Sequence, residues 1–325
     1  MTSGTSAAHC FRITHSVKLQ ELRMLTATLS KTGMLAALLV SGLLLSACAK
    51  EDAVNDEADK VAGRENAAAM SREHAEDTSE PSPVAEVAPG QAVISDPRMA
   101  YVEVRDENIY GYFSAPSDML EPLPALIVIH EWWGLNDNIR AMADRLAGEG
   151  FMVLAVDLYG GRTASTPTEA RALMLEVVED PEVARENIRG AYEFLATAGA
   201  PRVGSLGWCV GGGWSLTAAQ LLPDDLDASV IYYGQVTADE DKLRTINAPI
   251  LGLFGADDTG IKVASVEAFR AALERLNKEH EIYIYPGVGH AFANPTGANY
   301  NAEAATDAWN KTAAFLGRHL SDDGS

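Results

Sequence analysis

The chain has 325 residues, 47% of them apolar, and 46 acidic side chains against 25 basic ones give a formal net charge of −21. Such a charge repels nucleic-acid phosphate and anionic lipid surfaces, which argues against a polyanion-binding function and a nucleic-acid partner. The cysteines are few, Cys10, Cys48 and Cys209, and an odd set without Cys-x-x-Cys spacing argues against a disulfide scaffold and against a zinc site.

In chain order, the first feature is the apolar run Met34–Ala47, preceded by Lys31 and closing on small residues. It has the length of a signal-peptide core and falls short of the roughly 18 to 20 apolar residues that span a bilayer, so it reads as an export signal. Its end, Leu45-Ser46-Ala47-Cys48, resembles the bacterial lipobox. Residues 1–48 are therefore expected to be a lipoprotein signal segment, with Met24 as a competing start and Cys48 as lipid acceptor and first mature residue. An ordinary signal cut near Ala47 is the alternative. Ala49 and Lys50 stand where an aspartate would favour the inner membrane, so the expected location is the outer membrane of a bacterial envelope, facing the periplasm. Cys209 then remains as the single free thiol of the mature chain.

From Ala49 to Gly90 there are eleven acidic residues against four basic and no aromatic residue. A stretch of this kind buries too little apolar surface to offset its ordering entropy. Residues 49–96 are accordingly expected to be an acidic disordered linker, with a short helix around Glu65 to Ala75 as the competing expectation.

The globular pattern, assigned to residues 97–325, begins after Pro97. Tyr101–Val104 and Ile109–Phe113 read as an antiparallel hairpin. Continuous apolar runs follow at Ala125–Ile129, Phe151–Val156, Ala228–Tyr233, Pro249–Phe254 and Glu281–Tyr285, and another leads into Gly207. Helical patterns lie between and after them, near Asn138–Gly148, Pro167–Val178, Pro181–Thr197, Val210–Leu222, Val263–Asn277 and Ala302–Leu320. Unbroken β-branched runs alternating with helices predict an α/β fold: a mostly parallel sheet covered by helices on both faces, with an antiparallel N-terminal edge. Ligands of such sheets sit beyond the carboxyl ends of the strands.

The features that carry chemistry fall at those ends. Gly207-Trp208-Cys209-Val210-Gly211 has the form of a sharp strand-to-helix turn that presents a nucleophile, with glycines where a Cβ would collide. A strand leads into Gly255-Ala256-Asp257-Asp258, and another into Gly287-Val288-Gly289-His290. The order nucleophile, acid, histidine is that of the α/β-hydrolase triad. A thiol is only slightly ionised at neutral pH, so Cys209 needs His290 as base, assisted by the N-terminal end of the following helix. Asp258 would orient and stabilise the imidazole, with Asp257 as the competing choice. The oxyanion hole is expected from the backbone N–H groups of Val210 and Trp132.

Together, His130-Glu131-Trp132-Trp133-Gly134-Leu135-Asn136, Asp157-Leu158-Tyr159, Gly207-Trp208-Cys209-Val210-Gly211, Gly255-Ala256-Asp257-Asp258 and Gly289-His290-Ala291-Phe292 resemble the dienelactone hydrolase (carboxymethylenebutenolidase) family over roughly Pro97 to Leu320. The resemblance implies the α/β-hydrolase fold and a Cys-His-Asp triad that hydrolyses esters or lactones without a metal or organic cofactor. It also implies a role for Glu131 in holding the resting thiol and in its deprotonation, although on physical grounds Glu131 could instead cap the next helix. The family's type member carries an arginine that helps bind the substrate carboxylate, where this chain has Asn294. Arg162 and Arg171 are candidates for an anionic group, with surface positions as the alternative. Tyr159, Trp133, Trp132 and Trp208 suggest an aromatic pocket mouth or, equally, core packing.

The expected function is an ester or lactone hydrolase, tethered to a membrane through Cys48, acting on a small molecule through an acyl-thioester. The alternatives are a non-catalytic envelope-associated binding module that keeps the fold, and a thiol redox protein, weakened by the lack of a resolving cysteine.

Overall fold

The structure is a computed structural model that describes residues 57, 59–75 and 93–321. The expected export signal and Cys48 lie outside the described residues, as do residues 49–56, 58 and 76–92 of the expected linker. The chain divides into two units, Met1–Ala62 and Gly63–Ser325. Of the first, Glu57 and residues 59–62 are described, and all are helical.

The second unit opens with helix α1 over residues 63–73. Its stripe Ala67, Met70 and His74 is buried, at a spacing that places these residues on one helical face. Gly63 lies against Val178, where a Cβ would come within 2.8 Å of the valine methyl. Arg64 forms a two-pronged pair with Glu179 at 2.7 and 2.9 Å; both partners are solvent-exposed, so the pair is worth about 1 kcal/mol or less. The helix agrees with the competing expectation of a short helix around Glu65 to Ala75 and not with a disordered linker over these residues; the burial of Ala67, Met70 and His74 is a contact that linker composition does not reveal.

The hairpin β1 (Val93–Val104) and β2 (Glu107–Pro116) begins four residues before the expected domain start at 97. The remaining strands are β3 (Ala125–Ile129), β4 (Met152–Val156), β5 (Val203–Trp208), β6 (Ala228–Tyr232), β7 (Ile250–Gly255) and β8 (His280–Tyr285). They form one eight-stranded sheet in the order β1-β2-β4-β3-β5-β6-β7-β8. Pairing is antiparallel from β1 to β2 and from β2 to β4, and parallel for the rest. Every residue of β3, β4, β5 and β6 is buried, which an apolar run on both pleat faces requires and which demands cover on both sides.

The helices supply that cover: α2 (Asp137–Gly148), α3 (Pro167–Glu179), α4 (Pro181–Thr197), α5 (Val210–Leu221), the short α6 (Glu240–Arg244), α7 (Val263–Arg275) and α8 (Ala302–Leu320). Their starts follow local chemistry. Asn136, Thr166 and Asn301 accept backbone N–H bonds from Ile139, Glu169 and Ala304, and proline opens both α3 and α4, where its missing N–H removes no helical bond. Beneath α5, the buried hydroxyls of Ser205, Ser215 and Ser229 are linked at 2.8 and 3.0 Å and join the helix to β5 and β6.

Between β3 and β5 the strand order reverses direction. The chain leaves β3 toward β4, then returns through α3 and α4 to the other side. The carboxyl ends of β3 and β5 therefore lie at the topological switch point, where ligands of open α/β sheets bind.

Candidate active site

Cys209 occupies the turn from β5 into α5 with φ 57° and ψ −119°, a conformation that costs a non-glycine residue on the order of 1–3 kcal/mol. Two neighbours have to be glycine. A Cβ on Gly207 would lie 2.1 Å from the Gly211 carbonyl oxygen, and one on Gly211 would lie 2.2 Å from that of Ile129. The Cys209 N–H donates to Tyr232 O at 3.0 Å, so the turn is anchored to β6. The strain aims the thiol out of the helix start toward the ends of β7 and β8.

From the loop after β7, Asp258 accepts the Gly260 and Ile261 N–H groups on Oδ1 at 2.8 and 2.7 Å. Its Oδ2 is 2.7 Å from Nδ1 of His290, in the loop after β8, and Nε2 of the same ring is 3.3 Å from Cys209 Sγ. The three side chains are buried. Asp257, the competing acid, is exposed in the same turn.

Glu131, just past β3, is buried and receives the Asn294 amide on Oε2 at 2.8 Å. Asn294 in turn accepts from Thr296 N and Oγ1 on its Oδ1 at 3.0 and 2.8 Å, which fixes the amide with its nitrogen toward the carboxylate. Glu131 does not cap the next helix; Asn136 does. His130 accepts the Leu158 N–H on Nε2 at 3.1 Å, so its Nδ1 carries the proton and donates to Glu131 O at 2.6 Å. Burial holds the His130 pKa down and the ring neutral, and it ties the end of β3 to the end of β4.

The electrostatics oppose each other within this cluster. Burial pushes the Cys209 thiol up, but the charge and hydrogen bond of His290, joined by His74, outweigh it and bring the pKa down to about 6. Burial opposes protonation of His290, yet the facing thiolate and Asp258 raise its pKa well above the ordinary histidine range. Glu131 is pushed up to about 7, first by burial and then by the charge of Cys209. At neutral pH the sulfur and imidazole are thus held as an ion pair beside a carboxyl that is partly protonated.

The two positions expected for the oxyanion hole lie in the segments that follow β5 and β3. Val210 is the first residue of α5, and Trp132 lies in the loop after β3, where the Gly134 N–H donates to Glu131 O at 3.1 Å. Trp132, Trp133, Trp208 and Tyr159 are all buried in the hydrophobic core, which is the core packing expected as the alternative to an exposed mouth. Among the described residues, the Trp132 Nε1 and Tyr159 hydroxyl are buried without a hydrogen-bond partner, and the charge of Cys209 contributes to raising the Tyr159 pKa. The arginines take the surface positions expected as the alternative to substrate contact. The Arg162 guanidinium pairs with Glu176 at 2.5 Å, and Arg171 is exposed on α3.

Sequence reasoning missed three contributors. Met70 and His74 of the N-terminal segment lie over the nucleophile: Met70 Sδ is 3.4 Å from Cys209 Sγ, and the His74 ring packs 4.7 Å from Trp132 and 5.5 Å from His290 between centroids. Cys209 is 3% exposed as a result of its surroundings. No motif marks either residue. Tyr233, with φ 38°, follows β6 and sets its ring 5.2 Å from His290; its position at the carboxyl end of the strand beside the elbow was a usable signal.

The dienelactone hydrolase family profile matches residues 109–320. A protein of Saccharolobus solfataricus assigned as a carboxymethylenebutenolidase is 34% identical over 248 residues, covering 65% of this chain and 94% of its own. One of Escherichia coli with the same assignment is 32% identical over 219 residues, 63% of this chain and 80% of its own. The crystal structure assigned as a dienelactone hydrolase from Klebsiella pneumoniae is 30% identical, with a TM-score of 0.63 over 70% of this chain and 99% of that one.

Proposed function

This chain belongs to the dienelactone hydrolase family and is a hydrolase of carboxylic esters or lactones, and on that premise we propose that it works through a Cys209–His290–Asp258 relay and an acyl-thioester. The observation that carries this reading is the continuous path from Asp258 to His290 at 2.7 Å and from His290 to Cys209 at 3.3 Å. The Cys209 thiolate attacks the carbonyl carbon, and the carbonyl oxygen takes up negative charge toward the Val210 and Trp132 backbone N–H groups. His290, carrying a proton on Nε2, gives it to the departing alkoxide, and the carbonyl re-forms as a thioester. Neutral His290 then takes a proton from water as that water attacks the thioester; the second tetrahedral species expels the thiolate and releases the acid. Asp258 acts through the imidazole, holding its tautomer and orientation.

Glu131 opposes a second negative charge beside it while ionised, and ceases to do so when protonated. Held by Asn294, it tunes the charge on the sulfur as substrate enters. The pairing of Arg162 with Glu176 and the presence of Asn294 at the end of the last site loop favour a neutral ester or lactone over one bearing a carboxylate. Export and lipid attachment at Cys48, tethering the domain to the outer membrane of a bacterial envelope on its periplasmic side, complete the proposal and rest on the sequence motif.

The test is hydrolysis of short activated esters and lactones by Cys209→Ala. Turnover is expected to fall by at least roughly 10⁴-fold with the fold retained. Unchanged turnover would remove the relay and leave a binding module as the reading.

A further inference from the structure

We propose that His74, Cys209 and His290 together form a binding site for a borderline-soft divalent cation, zinc being the best match, and that occupation of this site switches the hydrolase off. The site is built by α1 and lies partly outside the residues matched by the family profile, because His74 precedes that match by more than thirty residues.

Three observations converge. The three ligand atoms, two imidazole nitrogens and one sulfur, all lie within 4.8 Å of one another, and all three residues are buried. Zinc bonds of about 2.3 Å to sulfur and about 2.0 Å to nitrogen place S and N about 3.5 Å apart across a tetrahedral angle. The Cys209–His290 separation of 3.3 Å already meets that requirement, and with all ligand atoms within 4.8 Å His74 has to close by about 1.5 Å at most. The outer shell is also in place. A histidine that binds a metal normally donates its other N–H to a carboxylate, and Asp258 receives Nδ1 of His290 at 2.7 Å, which turns Nε2 toward the centre.

Imidazole and thiolate donors suit zinc and disfavour magnesium or calcium, which prefer oxygen. The Met70 thioether, 3.4 Å from the sulfur, adds a weak soft donor. Sequence spacing cannot reveal this set, since its members come from α1, the β5–α5 elbow and the loop after β8.

Binding expels to solvent the one proton that the thiolate–imidazolium pair carries on His290 Nε2, while Nδ1 keeps its proton toward Asp258, and the metal takes the lone pairs of Cys209 Sγ and His290 Nε2. Those are the pairs the hydrolytic reading uses for attack on the carbonyl and for proton transfer. The inhibitory part of the proposal therefore rests on that reading, whereas the binding site stands on the geometry alone.

The experiment is a cobalt(II) titration of the full-length chain, followed by absorption, with a parallel zinc titration of ester hydrolysis. Wild type is expected to bind one cobalt ion with a thiolate-to-metal charge-transfer band and the intense visible bands of tetrahedral coordination. Cys209→Ser should lose the charge-transfer band. His74→Ala and the volume-conserving His74→Gln should each weaken binding at least tenfold and make hydrolysis correspondingly less sensitive to zinc, with inhibition of wild type reversed by a chelator. Absence of the charge-transfer band in wild type, or equal affinity in the folded His74 variants, overturns the site. Cobalt binding without any ester turnover would instead overturn the hydrolytic reading and leave the site standing; binding without zinc inhibition in an active enzyme would overturn the switch.

Discussion

Two opposing influences act on the Cys209 sulfur, burial against the imidazole charge, and the second prevails. The thiolate is therefore expected to appear as pH rises through about 6, well below the ordinary cysteine value of about 8.5. A small alkylating reagent should label Cys209 with a rate that climbs through that lower range, and His290→Ala should move the midpoint upward, since burial is then opposed only by the smaller contribution of His74. A midpoint unaltered in His290→Ala would separate the imidazole from the sulfur. Glu131 contributes in the other direction. Its pKa rises on folding from 4.5 to about 7, so the folded state carries no penalty below pH 4.5, acquires one as the pH rises from 4.5 to about 7, and bears it in full above that, once the buried carboxyl has ionised. Glu131→Gln, which can still accept from Asn294, should thus be neutral toward stability in acid and stabilising above pH 7, by about 3 kcal/mol at most. Chemical unfolding curves at pH 4 and 8 check both the sign and the window.

At the scale of elements, α1 sets Met70 3.4 Å from the sulfur and is therefore expected to limit approach to it. Its hold consists of the buried stripe Ala67, Met70 and His74 and the exposed Arg64–Glu179 pair, of which the stripe carries most of the energy. Replacing Ala67, which is fully buried, by aspartate puts a carboxylate into that contact and should release the helix. Labelling of Cys209 by a bulky thiol reagent is expected to accelerate about tenfold relative to a small reagent, a ratio equivalent to about 1.4 kcal/mol. The same ratio in wild type and Ala67→Asp would mean that α1 does not limit access. The elbow obeys different physics: it is held by backbone contacts at Gly207 and Gly211 that leave no room for a Cβ, so the nucleophile stays in place whether or not α1 is docked.

For the whole molecule, the net charge of −21 sets which substrates arrive readily. A negative field slows the approach of anions and is screened as the Debye length falls from about 30 Å at 0.01 M salt to about 8 Å at 0.15 M. Raising the salt between those limits should increase kcat/KM for an ester bearing a carboxylate by several-fold and leave that for its neutral analogue unchanged. Equal salt responses would show that charge plays no part in selection. The parallel sheet has a separate whole-molecule consequence: by ordering β3, β5, β6, β7 and β8 side by side, it collects at one edge five loops that are up to 160 residues apart in the chain.

Much of the architecture was legible in the amino-acid order because its signals are local. Prolines at the first helical position marked Pro167 and Pro181, continuous β-branched runs marked the buried strands, and the glycines around Cys209 announced the elbow. Cys209, Asp258, His290 and Glu131 could be named as candidates because each stands just beyond a strand. Their distances were decided only by the order in which the strands pair. Tertiary structure also turned Asp258 inward and Asp257 outward within one turn, set Asn294 against Glu131, committed Arg162 to Glu176, and seated His74 and Met70 over the sulfur. Each of these depends on what a distant segment presents at the contact, and a pattern of neighbours along the chain carries no information about that surface.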